Sequence, residues 1–186
     1  MAILTGAEPF THDGSDVGVL LCHGFTGTPQ SMRPWVEYLA GRGYTVRLPL
    51  LPGHGTTWQE LNQTRWQDWY SCVDATFRQL HETCEQVIVG GLSMGGYVAL
   101  SIVLRYPDRV RGLILMDTRA GADSPAAAQG REELARAVEQ TGKPDAVVEA
   151  MMPKLFSPAT LAFHPEVIER IKTQMMKSHP SALANT

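Results

Sequence analysis

Cysteine is scarce: Cys22, Cys72 and Cys84 are the only three in 186 residues. No two of them form a C-x-x-C pair, and an odd count cannot make an even disulfide framework. A reducing compartment is therefore expected, with the cytoplasm as the default location. Neither sign of charge dominates, since charged residues make up 19% of the chain and the net charge is −3. With no basic run, nucleic acid and anionic membrane surfaces are not expected partners. The longest apolar runs, Val17–Cys22 and 113–116, are far too short to span a bilayer. The opening MAILTGAEPFTHDG has neither the basic n-region nor the apolar h-region of a secretory signal. The six histidines are scattered, with no H-x-x-x-H and no adjoining carboxylate cluster, so no metal site is expected. A nucleotide cofactor has no G-x-G-x-x-G or Walker pattern to hold it, and no cofactor is expected at all.

What is present is an alternation of short apolar runs and helical patterns. Val17–Cys22 (VGVLLC) is a run of apolar residues between Gly-rich turns, the mark of a strand buried on both faces. A helix is predicted over 32–40, with Pro34 early and Gly41 and Gly43 as stops. Residues 44–48 read as the next strand, closed by Pro52-Gly53-His54-Gly55. Trp69, Val73, Phe77 and Leu80 form a stripe that predicts a helix over 66–80. A strand over 86–90, a helix over 97–105 stopping before Pro107, and a fourth strand at Val110–Met116 complete the series. Repeated strand–helix–strand units of this length imply a mostly parallel sheet with helices on both faces. After Asp117 the pattern changes to helices over 124–140, 144–152 and 165–177, with no further apolar strand. The expected division is an α/β core over 1–120 and a helical, cap-like segment over 121–186.

Gly91-Leu92-Ser93-Met94-Gly95 matches G-x-S-x-G, with a strand running into it and a helix leaving it. That context separates it from a chance turn between glycines. A serine on such a sharp strand-to-helix turn exposes its Oγ at the top of the sheet, beside a helix N-terminus that favours negative charge. Ser93 is the expected catalytic nucleophile. A second Gly-rich loop, His23-Gly24-Phe25-Thr26-Gly27, follows the first buried strand. In this architecture the oxyanion hole uses the N–H after the nucleophile and one from that earlier loop. The corresponding donors are the backbone N–H groups of Met94 and Phe25.

The run LLCHGFTGTPQSM…LAGRGYTVRLPLLPGHG…WQDWY…VIVGGLSMGG, within residues 17–96, resembles bacterial carboxylesterases and monoacylglycerol lipases of the α/β-hydrolase superfamily. The following GLSMGGYVALSIVLRYPDRVRGLILMDTRAGAD, and the stretch MMPKLFSP, resemble hydrolases of the 3-oxoadipate enol-lactonase group. A hybrid of two branches joined near GLSMGG would account for both. The resemblance implies an α/β-hydrolase fold, an ester substrate attacked by Ser93, and oxyanion donors at Phe25 and Met94.

It also implies partners for Ser93 that the chain does not display. The order along the superfamily is Ser, acid, His, and the last strands that carry the acid and the base are not legible here. Asp117 ends the fourth strand, but a strand-end aspartate more commonly caps its loop or pairs locally, here with Arg119. His164 and His179, flanked by prolines, read as helix-boundary or surface residues. His54 reads as loop packing at a pocket rim, His23 as a brace for the oxyanion loop, and His12 and His81 as exposed. Three functions follow. The first is a serine ester hydrolase working through an acyl-enzyme on Ser93. The second is a truncated, non-catalytic remnant that self-associates through an open sheet edge into a homo-oligomer. The third is an enol-lactone hydrolase. The Met- and Phe-rich segment (Met151, Met152, Phe156, Phe163, Met175, Met176) suits an apolar substrate or simply a core.

Overall fold

A computed structural model describes residues 3–176. Five strands make one sheet: β1 (Phe10–His12), β2 (Val17–Cys22), β3 (Thr45–Leu48), β4 (Gln86–Leu92) and β5 (Val110–Met116). Their spatial order is β1-β3-β2-β4-β5, with β1 antiparallel to β3 and every other pair parallel. The sheet is thus mostly parallel, as the apolar runs imply. β1 escapes the sequence reading because FTH is three residues of mixed polarity with no apolar face to announce it.

Helices α1 (Arg33–Gly41), α2 (Trp58–Leu61), α3 (Trp66–Thr83) and α4 (Met94–Arg105) fill the connections. α1 begins with Pro34 in its first turn, where the missing N–H costs nothing. α3 starts on a one-way cap: the Arg65 N–H donates to the Asp68 carboxylate at 2.8 Å. Its stripe of Val73, Phe77 and Leu80 packs with Leu20, Val87, Val89, Val98 and Ile102 on one side of the sheet. On the other, Val36 and Met32 pack with Val19, Leu21, Val46 and Leu48. Covered on both sides, β2 has no polar face, which is why VGVLLC shows no alternation. β5 differs. It is an edge strand among the described residues, and Leu113, Ile114 and Leu115 all remain substantially exposed.

The chain divides into two compact units between Gly121 and Ala122. In the second, α5 (Pro125–Thr141), α6 (Asp145–Leu155), α7 (Pro158–Phe163) and α8 (Pro165–Met175) follow one another without a strand among the described residues. Ser124 and Ser157 cap α5 and α7, accepting from Ala127 N–H and Thr160 N–H. Gly142, at φ 64°, ends α5 in the left-handed conformation. Val138, Pro144, Val147, Val148 and Met152 are the buried residues among those described in this unit. The short α2 and α7 were not legible as helices, being four and six residues long.

Candidate active site

Ser93 sits between β4 and α4 at φ 53°, ψ −119°, a backbone conformation that side-chain-bearing residues rarely adopt. Such a position costs on the order of 1–3 kcal/mol and persists only where the surroundings over-determine it. Here they do. The Ser93 N–H donates to the Met116 carbonyl at 2.8 Å, fastening the turn to the end of β5. The Ser93 carbonyl accepts from Gly96 N–H at 2.9 Å and from Thr118 Oγ1 at 2.8 Å.

The glycines beside it are required by contact. A Cβ on Gly91 would collide with the Gly95 carbonyl, and one on Gly95 with the carbonyls of Cys22 and His23. The helix after the serine therefore crosses the end of β2 at backbone distance. The same closeness brings the His23–Gly27 loop to the serine, since a Cβ on Gly24 would lie 3.3 Å from Ser93 Cβ and 3.9 Å from its Oγ. Ser93 itself is exposed, at the first turn of α4, where the Met94 N–H has no intrahelical acceptor.

The Phe25 N–H is aimed through its own peptide. The Gly24 carbonyl accepts from Gly27 N–H at 3.1 Å and from His23 Nδ1 at 3.0 Å. In a planar trans peptide the N–H points opposite the C=O, so two donors on the Gly24 oxygen fix the direction of the Phe25 N–H. His23 is fully buried, and burial depresses its pKa to about 4, leaving the ring neutral. Its brace is thus a neutral one.

His54 is also buried, its Nδ1 3.2 Å from the Pro52 carbonyl, and burial lowers its pKa as well. It is not at a rim, as its loop sequence led us to expect. Its ring packs edge-on against His23 (5.0 Å), Trp69 (5.4 Å) and Phe25 (5.9 Å). Trp69 Nε1 donates to the Pro52 carbonyl and to Thr64 Oγ1. An aromatic cluster therefore backs the loop that carries Phe25. Sequence reading missed the cluster because its members lie in three separate segments, with only the excess of ring residues in HGF, PGHG and WQDWY as a signal.

His12, His81 and His164 do not join the site. His12 and His81 are half-buried rather than exposed, because His12 lies in β1 and His81 stacks on Phe77. His164 is exposed, at the α7–α8 junction, with Nδ1 3.4 Å from Glu166 Oε1. His179 lies outside the described residues. Asp117 follows β5 directly at φ 51°. Among the described residues no histidine is hydrogen-bonded to Ser93. No helix of the described residues is long and apolar enough to cross a membrane.

Comparison with known proteins gives this geometry a family. The thermostable monoacylglycerol lipase of Bacillus sp. (strain H-257) is 43% identical over 143 residues, which is 75% of this chain and 56% of the relative. An alignment of that length necessarily runs past residue 96, beyond the stretch from which the resemblance was read. The carboxylesterase of Bacillus subtilis (strain 168) is 39% identical over 110 residues, covering 59% of this chain and 44% of the relative. Among solved structures, one described under LipS and LipT, two metagenome-derived lipolytic enzymes, superposes with a TM-score of 0.64 at 42% identity. It covers 68% of this chain and 52% of that one. The enol-lactonase of Burkholderia xenovorans LB400, at 20% identity and a TM-score of 0.62, shares the fold. The chain spans about half the length of the curated relatives it matches. A family model described as the alpha/beta hydrolase fold matches residues 18–142, and the chain belongs to that family.

Proposed function

We propose that this chain carries the nucleophile and oxyanion hole of a serine ester hydrolase acting on small carboxylic esters. The observation that carries the reading is Ser93 at φ 53° on a strand–turn–helix elbow, with Gly24 of the opposing loop against its side chain. Similarity to a monoacylglycerol lipase and a carboxylesterase supports ester chemistry.

In the reaction, Ser93 Oγ attacks the ester carbonyl carbon as a general base takes its proton. The carbonyl oxygen becomes an oxyanion held by the Phe25 and Met94 N–H groups, and its collapse expels the alcohol to leave an acyl-enzyme. Water repeats the attack and releases the acid. The described residues supply the nucleophile and the donors, and none of their histidines is assigned as the base. Three unpaired cysteines suit a reducing, cytoplasmic setting. An enol-lactone would be opened by the same groups.

Turnover of a short-chain p-nitrophenyl ester, abolished in Ser93→Ala, tests the reading on the whole chain. Labelling by a fluorophosphonate probe tests the nucleophile alone. Hydrolysis that persists unchanged in Ser93→Ala would overturn it. The remnant reading draws on a different observation, the exposed edge of β5.

A further inference from the structure

Both candidate oxyanion donors belong to peptides whose carbonyl oxygens are held in the same way. For Phe25 that oxygen is on Gly24, and it accepts from the Gly27 N–H and from His23 Nδ1. For Met94 it is on Ser93, and it accepts from the Gly96 N–H at 2.9 Å and from Thr118 Oγ1 at 2.8 Å. Each oxygen thus takes one backbone N–H, from a glycine further along its turn, and one side-chain donor. The C=O and N–H of one trans peptide point opposite ways, so a donor that pins the Ser93 oxygen also aims the Met94 N–H.

The chain around Thr118 places its hydroxyl for this task. Met116 ends β5, Asp117 follows in a left-handed conformation at φ 51°, and the Thr118 side chain then reaches the Ser93 carbonyl. A hydroxyl has one hydrogen to give, and the Ser93 oxygen at 2.8 Å is a closer acceptor than the Met116 oxygen at 3.2 Å. Gly96 makes the room, because a Cβ there would collide with Thr118 Oγ1. The second glycine of GLSMGG is thereby accounted for by Thr118, as the first is by the end of β2. Tying β5 to the elbow does not need this hydroxyl, since the Ser93 N–H already donates to the Met116 carbonyl at 2.8 Å. What Thr118 adds is a hold on the Ser93 carbonyl.

We propose that Thr118 is a positioning residue of the oxyanion hole, its hydroxyl orienting the Met94 N–H through the Ser93 carbonyl. The proposal rests on the ester-hydrolase reading above, in which the Met94 N–H stabilises the oxyanion. It adds a residue that acts through that peptide without touching the substrate.

Thr118→Val keeps the shape and removes the donor, whereas Thr118→Ser keeps the donor. Fluorophosphonate labelling of Ser93 is expected to slow about 10-fold in Thr118→Val, less than the roughly 100- to 1000-fold that loss of an oxyanion donor costs. Thr118→Ser is expected to recover most of the rate. A second measurement does not depend on chemistry at Ser93. Hydrogen bonding at a carbonyl draws electron density from the nitrogen of the same peptide, so the Met94 amide nitrogen reports on the Ser93 oxygen. In NMR spectra of the chain made with heavy-nitrogen methionine, the Met94 resonance is identified by its loss in Met94→Leu. It is expected to move upfield in Thr118→Val and to stay near its parent position in Thr118→Ser, with the Met32 and Met151 amides unmoved in both. Circular dichroism confirms that each variant is folded, and Thr118→Ala, which adds no bulk, replaces valine if valine disturbs the fold. Parent-rate labelling without the hydroxyl, or an equal loss in Thr118→Ser, overturns the proposal, as does an unmoved Met94 resonance. A parent chain whose Ser93 resists the probe overturns the ester-hydrolase reading instead, and the Met94 resonance then decides by itself whether Thr118 holds the peptide.

Discussion

Leu51 donates its backbone N–H to Nε2 of His23 at 3.1 Å, and that bond decides which ring nitrogen carries the proton. With Nε2 occupied as an acceptor, Nδ1 bears the hydrogen and donates to Gly24. A loop 28 residues away in sequence thereby sets the tautomer that holds the Gly24–Phe25 peptide.

His23→Ala leaves the buried Leu51 N–H without its acceptor and opens a cavity in the aromatic cluster. The expected loss is about 2–4 kcal/mol of stability, read by urea unfolding. Fluorophosphonate labelling of Ser93 is expected to slow further than in a core variant of equal stability, such as Val36→Ala, because only the first releases the Phe25 N–H. Equal labelling in the two would show that the brace has no bearing on the site.

Stability should also fall on acidification. His23 titrates near 4 when folded and near 6.5 when unfolded, so below neutrality the unfolded chain binds more protons. The contribution is complete above about pH 6.5 and is lost as pH falls toward 4, up to about 3 kcal/mol. His54 is shifted in the same direction by burial and adds to the loss. Unfolding free energies at several pH values between 7.5 and 4.5 check this, and His23→Gln, which cannot titrate, should flatten the slope.

Glycine substitutions should separate sharply by position. Gly95→Ala drives a Cβ into the backbone of Cys22 and His23 and should cost at least about 3 kcal/mol or prevent folding. Gly130, inside α5 with nothing near its Cβ position, should gain about 0.5–1 kcal/mol on change to Ala. Thermal unfolding of the two variants gives opposite signs if the close approach of α4 to β2 is right.

Ser93→Gly should stabilise the chain by about 1–2 kcal/mol, since glycine accepts φ 53°, ψ −119° at little cost. Probe labelling should vanish in the same variant. A destabilised Ser93→Gly would mean that the turn is not strained.

Much of this was legible because the responsible forces act locally. VGVLLC and VRGLILM announce buried strands by composition, and GLSMG is readable because steric exclusion of a Cβ leaves only glycine. The edge position of β5 was legible only from the lack of a later apolar strand, because its own residues are those of a covered strand, and β5 does end the sheet among the described residues. For His54 the turn-rich neighbours indicate loop packing near a pocket rim, but not its full burial. Its burial comes from Trp69 and Phe25, which the chain brings together from remote segments.

The hydrogen bond from Ser93 to Met116 also orders events in time. A ribosome makes Ser93 long before the acceptor that fixes it, and Thr118 comes later still. Until β5 has emerged and paired with β4, the Ser93 N–H lacks its Met116 acceptor and the Ser93 carbonyl has Gly96 N–H without the Thr118 hydroxyl. The hold on Ser93 is therefore completed only when the strand that follows it is in place.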